Sequence, residues 1–84
     1  MNNKVCVELI VPAIEERYNV FVPINKKIGT IKKYIVQSLS EILEDSTFEN
    51  TIFNLYDCET GTKYNNNVYV KESGIKNGSK LMLL

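Results

Sequence analysis

Hydrophobic and polar residues alternate at the start of the chain. From Lys4 to Val11, Val5, Val7, Leu9 and Val11 point one way, and Lys4, Cys6, Glu8 and Ile10 point the other. Period two predicts a half-buried strand. Pro12 ends it, and Ala13 to Glu16 form a turn. Alternation resumes from Arg17 to Ile24. Tyr18, Val20, Val22 and Ile24 share one face, with Arg17, Asn19, Phe21 and Pro23 on the other. Pro23 has no N–H to donate, so this second strand belongs on a sheet edge. The two strands form an antiparallel hairpin.

The period then changes. After the loop Asn25 to Gly29, Thr30 is the expected helix cap. Ile31, Tyr34, Ile35, Leu39 and Ile42 recur at helical spacing with Ser38 on the same face, and Leu43 flanks the stripe. Lys33, Gln37, Ser40, Glu41 and Glu44 make the polar face, and the helix ends between Leu43 and Asp45. Thr51 to Tyr56 reads as a third strand with Phe53 and Leu55 inward and Ile52, Asn54 and Tyr56 outward. Gly61 serves a turn, Lys63-Tyr64 pairs as a brief fourth strand, and Asn65 to Asn67 form an exposed loop. Asn77-Gly78 is a turn signal, because both residues tolerate positive φ. The chain then closes on Lys80-Leu81-Met82-Leu83-Leu84, a run apolar enough to belong inside a sheet, since loose termini are normally polar. Met1 to Asn3 is the only tail-like stretch.

One helix must cover a sheet built from both ends of the chain. The simplest arrangement sets the first and last strands side by side and parallel at the centre, in the order 2-1-5-3, with the helix across one face. The fold class is α+β with a mixed sheet, in a single domain spanning residues 1–84.

Composition narrows the function. Ten basic and ten acidic residues give zero net charge, which argues against a nucleic-acid binder, since such proteins carry a basic surplus. Two cysteines and no histidine cannot make an ordinary zinc site. The apolar stretch Val5 to Pro12 is interrupted by Glu8 and too short for a signal peptide, and no run reaches transmembrane length. These features predict a cytoplasmic protein with reduced cysteines, no metal, no cofactor and no membrane insertion.

No catalytic constellation stands out. Glu15-Glu16 and Asp57/Glu59 are turn carboxylates rather than an opposed acid and base. Cys6 lies mid-strand without a base to activate it and reads as a small apolar side chain. Cys58 lies in a turn, exposed, also without an activating partner. The helix carries a charge conflict: Lys26, Lys27, Lys32 and Lys33 crowd its N-terminal end, and Glu41, Glu44, Asp45 and Glu49 its C-terminal end. That is the reverse of what the macrodipole favours. The cluster reads either as a solvated face or as a bipolar docking surface.

The arrangement resembles the β-grasp fold of ubiquitin from Lys4 to Leu84, carried by the helix start Gly29-Thr30-Ile31, the turn Val70 to Ile75 and the last strand. Two stretches, Ile31-Lys32-Lys33-Tyr34-Ile35 and Gly74 to Leu83, resemble the small YukD/EsaB ubiquitin-like family associated with type VII secretion in Gram-positive bacteria. At position 79, where that family favours an acidic residue, this chain has Ser79. Conjugating ubiquitin-like proteins and sulfur carriers expose a flexible Gly-Gly tail. No Gly-Gly occurs here, and Leu84 is expected inside the strand, so conjugation and sulfur transfer are not expected. The resemblance implies a non-enzymatic interaction module, accessory or regulatory to type VII secretion, with the membrane ATPase or other core proteins as partners. The alternatives are a β-grasp adaptor of an unrelated bacterial or phage assembly, and a degenerate sulfur carrier.

The candidate binding residues lie on two surfaces. Alternation places Cys6, Ile10, Phe21, Ile52, Tyr56, Met82 and Leu84 on the sheet face away from the helix, the face through which ubiquitin binds partners. Of these, Phe21, Met82, Tyr56, Ile10 and Leu84 are the expected contacts for a partner chain or a second copy. Lys32 and Lys33 are the candidates on the helix.

Overall fold

The computed structural model describes residues 3–84; Met1 and Asn2 of the expected tail lie outside the described residues. β1 (Lys4–Val11) and β2 (Glu16–Pro23) pair antiparallel over their whole length. A turn through Pro12–Ile14 joins them, closed by Glu15 in the left-handed region at φ 53°. α1 (Ile28–Leu43) follows, then β3 (Leu55–Asp57) and β4 (Lys80–Leu83). The sheet order is β2-β1-β4-β3, with β1 and β4 parallel and the other pairs antiparallel. This is the expected order. The expected fourth strand is only a bridge between Tyr56 and Lys63, so the last strand is β4.

The alternating residues of the first two strands behave as the pattern requires. Val7, Leu9, Val11 and Val22 are buried, and Val5, Tyr18, Val20 and Ile24 pack against the same core. Leu9 and Leu81 lie opposite each other on the central parallel pair, both fully enclosed. β2 is an edge strand, as Pro23 implies.

The helix differs from expectation at its start and in its buried face. It begins at Ile28, and Lys27, not Thr30, precedes it without a side-chain cap. The loop expected to be merely exposed supplies the missing acceptors. Ile28 N–H donates to Val68 O at 2.9 Å and Gly29 N–H to Asn66 O at 3.0 Å. Backbone carbonyls thus satisfy donors that every helix start leaves open. A side chain on Gly29 would begin 3.2 Å from Asn66 Cβ, so glycine permits this approach.

The buried helical face is Ile28, Ile31, Ile35, Leu39 and Ser40. Tyr34 and Ile42, expected inward, are 53% and 67% exposed. The helix is turned so that Val36 and Ser40 pack inward, while Tyr34, Ser38 and Ile42 overhang β2. Ser40, expected on the polar face, is buried; its hydroxyl donates to Val36 O at 3.0 Å. The helix ends in a left-handed Glu44 at φ 53°: Glu44 N–H donates to Glu41 O and Asp45 N–H to Ser40 O.

The third strand is shorter than expected. Asn54 exchanges two backbone hydrogen bonds with Leu84, at 2.7 and 2.9 Å. Residues 51–53 lie outside the sheet, and Phe53 packs inward on Phe48, ring centroids 4.7 Å apart. Of the Asn77-Gly78 turn only Gly78 takes positive φ, at 88°. The turn does not join neighbouring strands but feeds the chain into the centre of the sheet. Asn77 Oδ1 accepts from Cys6 N–H at 2.7 Å, and Gly78 N–H donates to Cys6 O at 2.9 Å. Ser79 Oγ accepts from Lys76 N–H at 3.0 Å, holding the turn. Among the described residues, no helix is long and apolar enough to cross a membrane.

Candidate functional site

Strand pairing decides which outer-face residues meet. Arg17 lies opposite Ile10, Ile10 beside Met82, Met82 opposite Tyr56, and Tyr56 opposite Lys63. One row therefore runs across the whole sheet, with three half-buried apolar side chains between two exposed cations. β4 ends at Leu83, so Leu84 follows the strand rather than lying inside it as expected; it is tied to Asn54 by two backbone hydrogen bonds and is 52% exposed.

Phe21 does not belong to this row. It pairs with Cys6 and is 71% exposed. Phe21, Cys6, Met82 and Tyr56 do lie on successive strands, but β1 sets Ile10, not Cys6, next to Met82. A polar row, Asn19–Glu8–Lys80, separates the two apolar groups. Arg17 Nη1 reaches across to Glu8 Oε1 at 3.4 Å, an ion pair with one largely exposed partner that contributes little to stability. The outer face therefore carries an Ile10–Met82–Tyr56 band and a separate Phe21–Cys6 corner.

Lys32 and Lys33 lie on the other side of the sheet. With Val36, Gln37, Glu49 and Thr51 they border an open hollow of about 480 Å³ beside α1. Ile52, expected on the outer sheet face, lines this hollow instead and is 89% exposed. The strand register that would have sent it outward is lost where residues 51–53 leave the sheet. The sequence pattern had separated Ile52 from the lysines, and the structure joins them.

The charge conflict on the helix persists: its first turn has no acidic residue and its last turn no basic one. Lys27 Nζ sits 5.8 Å above the Tyr69 ring, and Lys71 Nζ lies 5.9 Å from the same ring. The aromatic face gives Lys27 a partner that the dipole of α1 denies it.

The Cys58 thiol is the reverse of activated. Cys58 is half-buried rather than exposed. Burial first, then the charges of Asp57 and Glu8, push its thiol above the ordinary range, which disfavours the nucleophilic thiolate. Burial also pushes the Tyr64 hydroxyl up, with Asp57 adding to it. What the surfaces offer is apolar contact framed by charge.

The same architecture recurs in solved structures. The ubiquitin-like domain of EccD5 from Mycobacterium xenopi superposes with a TM-score of 0.77 at 13% identity, over 99% of this chain and 94% of that one. The ubiquitin-like domain of the Mycobacterium tuberculosis type VII secretion protein EccD1 gives 0.72 at 17% identity, over 100% and 99%. A chain of the MycP5-free ESX-5 inner membrane complex gives 0.74 at 16% identity, over 99% of this chain and 21% of that one. No family model matches the chain, and no curated protein is significantly similar to it. At these identities the likeness is one of fold: the chain is a ubiquitin-like β-grasp domain.

Proposed function

We propose that this chain is a non-enzymatic interaction module of a type VII secretion system, an accessory or regulatory component of the YukD/EsaB kind acting in the cytoplasm. The observation that carries the reading is the extent of the match to the EccD domains. It takes in essentially all of this chain and nearly all of theirs, so the shared unit is the whole domain and not a fragment. A fold alone hosts many functions, so the surface has to supply the rest. The Ile10–Met82–Tyr56 band, with Leu84 beside it and Arg17 and Lys63 at its ends, is the contact for the membrane ATPase or another core secretion protein. Phe21 makes a second, smaller contact at the far corner of that face. Lys32 and Lys33 in the hollow beside α1 are the site for an acidic segment of the same assembly.

The test is genetic. Removing the gene from its host should reduce export of the system's small helical-hairpin substrates. The intact chain should restore export, and Met82→Arg should not, although it accumulates as a folded protein. Unchanged export without the gene overturns the secretion reading. Restoration by Met82→Arg removes the outer band from it.

A further inference from the structure

The β2 edge of the sheet carries its protection only at its ends, in Glu16, Arg17 and Pro23. β1 uses its even-numbered residues toward β4: Glu8 N–H donates to Ser79 O, and Gly78 N–H to Cys6 O. Its odd-numbered residues therefore bond β2, as Asn3 O does in accepting from Ile24 N–H at 2.9 Å. Antiparallel pairing alternates. The register Cys6↔Phe21 and Glu8↔Asn19 then turns the backbone N–H and C=O of Arg17, Asn19 and Phe21 outward. Between Arg17 and Pro23 this edge has no charged residue, no proline and no bulge. Such an edge is a template for another strand.

We infer that β2 pairs antiparallel with β2 of a second copy of this chain, centred on Asn19. The fit of this strand to itself selects that occupant. Of the self-pairing registers, the one centred on Asn19 satisfies every outward N–H and C=O of Arg17, Asn19 and Phe21. A shift by one step sets Arg17 against Pro23, which has no N–H to give. This register also places Arg17 opposite the partner's Phe21, a cation against an aromatic ring that is otherwise 71% exposed. On the helix side it places Tyr18 opposite the partner's Val20, a favoured aromatic and β-branched pair. The two-fold axis puts both helices on the same face of one continuous sheet. Tyr34 and Ile42, left exposed where they overhang β2, then lie above those pairs and are covered. The inference does not rest on the secretion reading.

Sedimentation equilibrium of the full chain over a concentration series is the test, with circular dichroism as the check on folding. The wild type should show a monomer–dimer equilibrium. Asn19→Pro removes an N–H that no intrachain bond uses, so it should fold and stay monomeric. The charge variants read the register independently. Phe21→Lys sets like charges opposite each other and should weaken association roughly tenfold relative to Phe21→Glu, which gains the partner's Arg17. A wild type that stays monomeric throughout overturns the inference and leaves the edge to a strand from another protein. A dimer that tolerates all three changes, or that responds equally to Lys and Glu at position 21, overturns it as well.

Discussion

Glu44 stands where helices usually place glycine. Its N–H and that of Asp45 close the last turn of α1 onto Glu41 O and Ser40 O, and the closure requires its φ of 53°. For an L-residue with a side chain this conformation costs about 1–2 kcal/mol. Replacing Glu44 by glycine removes that strain but loosens the unfolded chain, an offset of roughly 0.5–1 kcal/mol. It also removes a negative charge from the negative end of the helix dipole, a gain of about 0.3–1 kcal/mol at low salt. The sum predicts that Glu44→Gly stabilises by about 1 kcal/mol, which is about 5 °C in Tm for a domain of this size. Glu44→Gln separates the two causes. It keeps the strained backbone and removes the charge, so it should gain only the electrostatic part, and that gain should vanish in high salt. Urea unfolding at low and high salt measures both. If Glu44→Gly is no more stable than wild type, the left-handed closure is not strained and the reasoning fails. If Glu44→Gln matches Glu44→Gly at high salt, the backbone has no part in it.

Three further outcomes follow from single residues. Leu81→Ala should destabilise by roughly 3–4 kcal/mol in urea unfolding, because Leu81 is fully enclosed against Leu9 and its truncation opens a cavity in the core. A loss below about 1 kcal/mol would mean that β4 is not central. Ser40→Ala should be neutral or stabilising by about 0.5 kcal/mol: alanine is the better helix former, and Val36 O sits within the helix ladder. A clear loss would give the hydroxyl a role beyond Val36. The raised Cys58 pKa has two consequences. Because the folded state holds this proton more tightly than the unfolded one, its contribution to stability is complete below the ordinary thiol range and is lost as pH rises through the folded value. Cys58 should also react more slowly with disulfide reagents in the native protein than in urea. Faster native reaction would contradict the environment described.

Much of the fold is legible along the chain, because strands buried on one face must alternate. Val5 to Val11 and Tyr18 to Ile24 announce their inward sides, and Pro23 announces an edge. The start of the helix is not legible, because its acceptors are the carbonyls of Asn66 and Val68, far away in sequence. Gly29 was the only local sign that another segment comes close. The buried side of α1 is also hidden: Tyr34 and Ile42 fit the helical period as well as Ile35 does, and only the placement of α1 over the sheet leaves them outside. The candidate surface was half visible. Alternation picks out Ile10, Tyr56 and Met82 as outward, but the parallel register that sets Met82 beside Ile10 and away from Phe21 is fixed by the Asn77-Gly78 turn bonding to Cys6. Ile52 is hidden because alternation does not show that β3 begins only at Leu55, which leaves residues 51–53 outside the strand register.

The Ile10–Met82–Tyr56 band is the proposed contact with the type VII secretion machinery. Calorimetric titration of the purified chain with the cytoplasmic region of the secretion ATPase tests it most directly. Binding should be saturable, and Met82→Arg should abolish it while leaving the circular dichroism spectrum unchanged. Absence of binding by the wild type, or binding by a folded Met82→Arg at wild-type affinity, would contradict it.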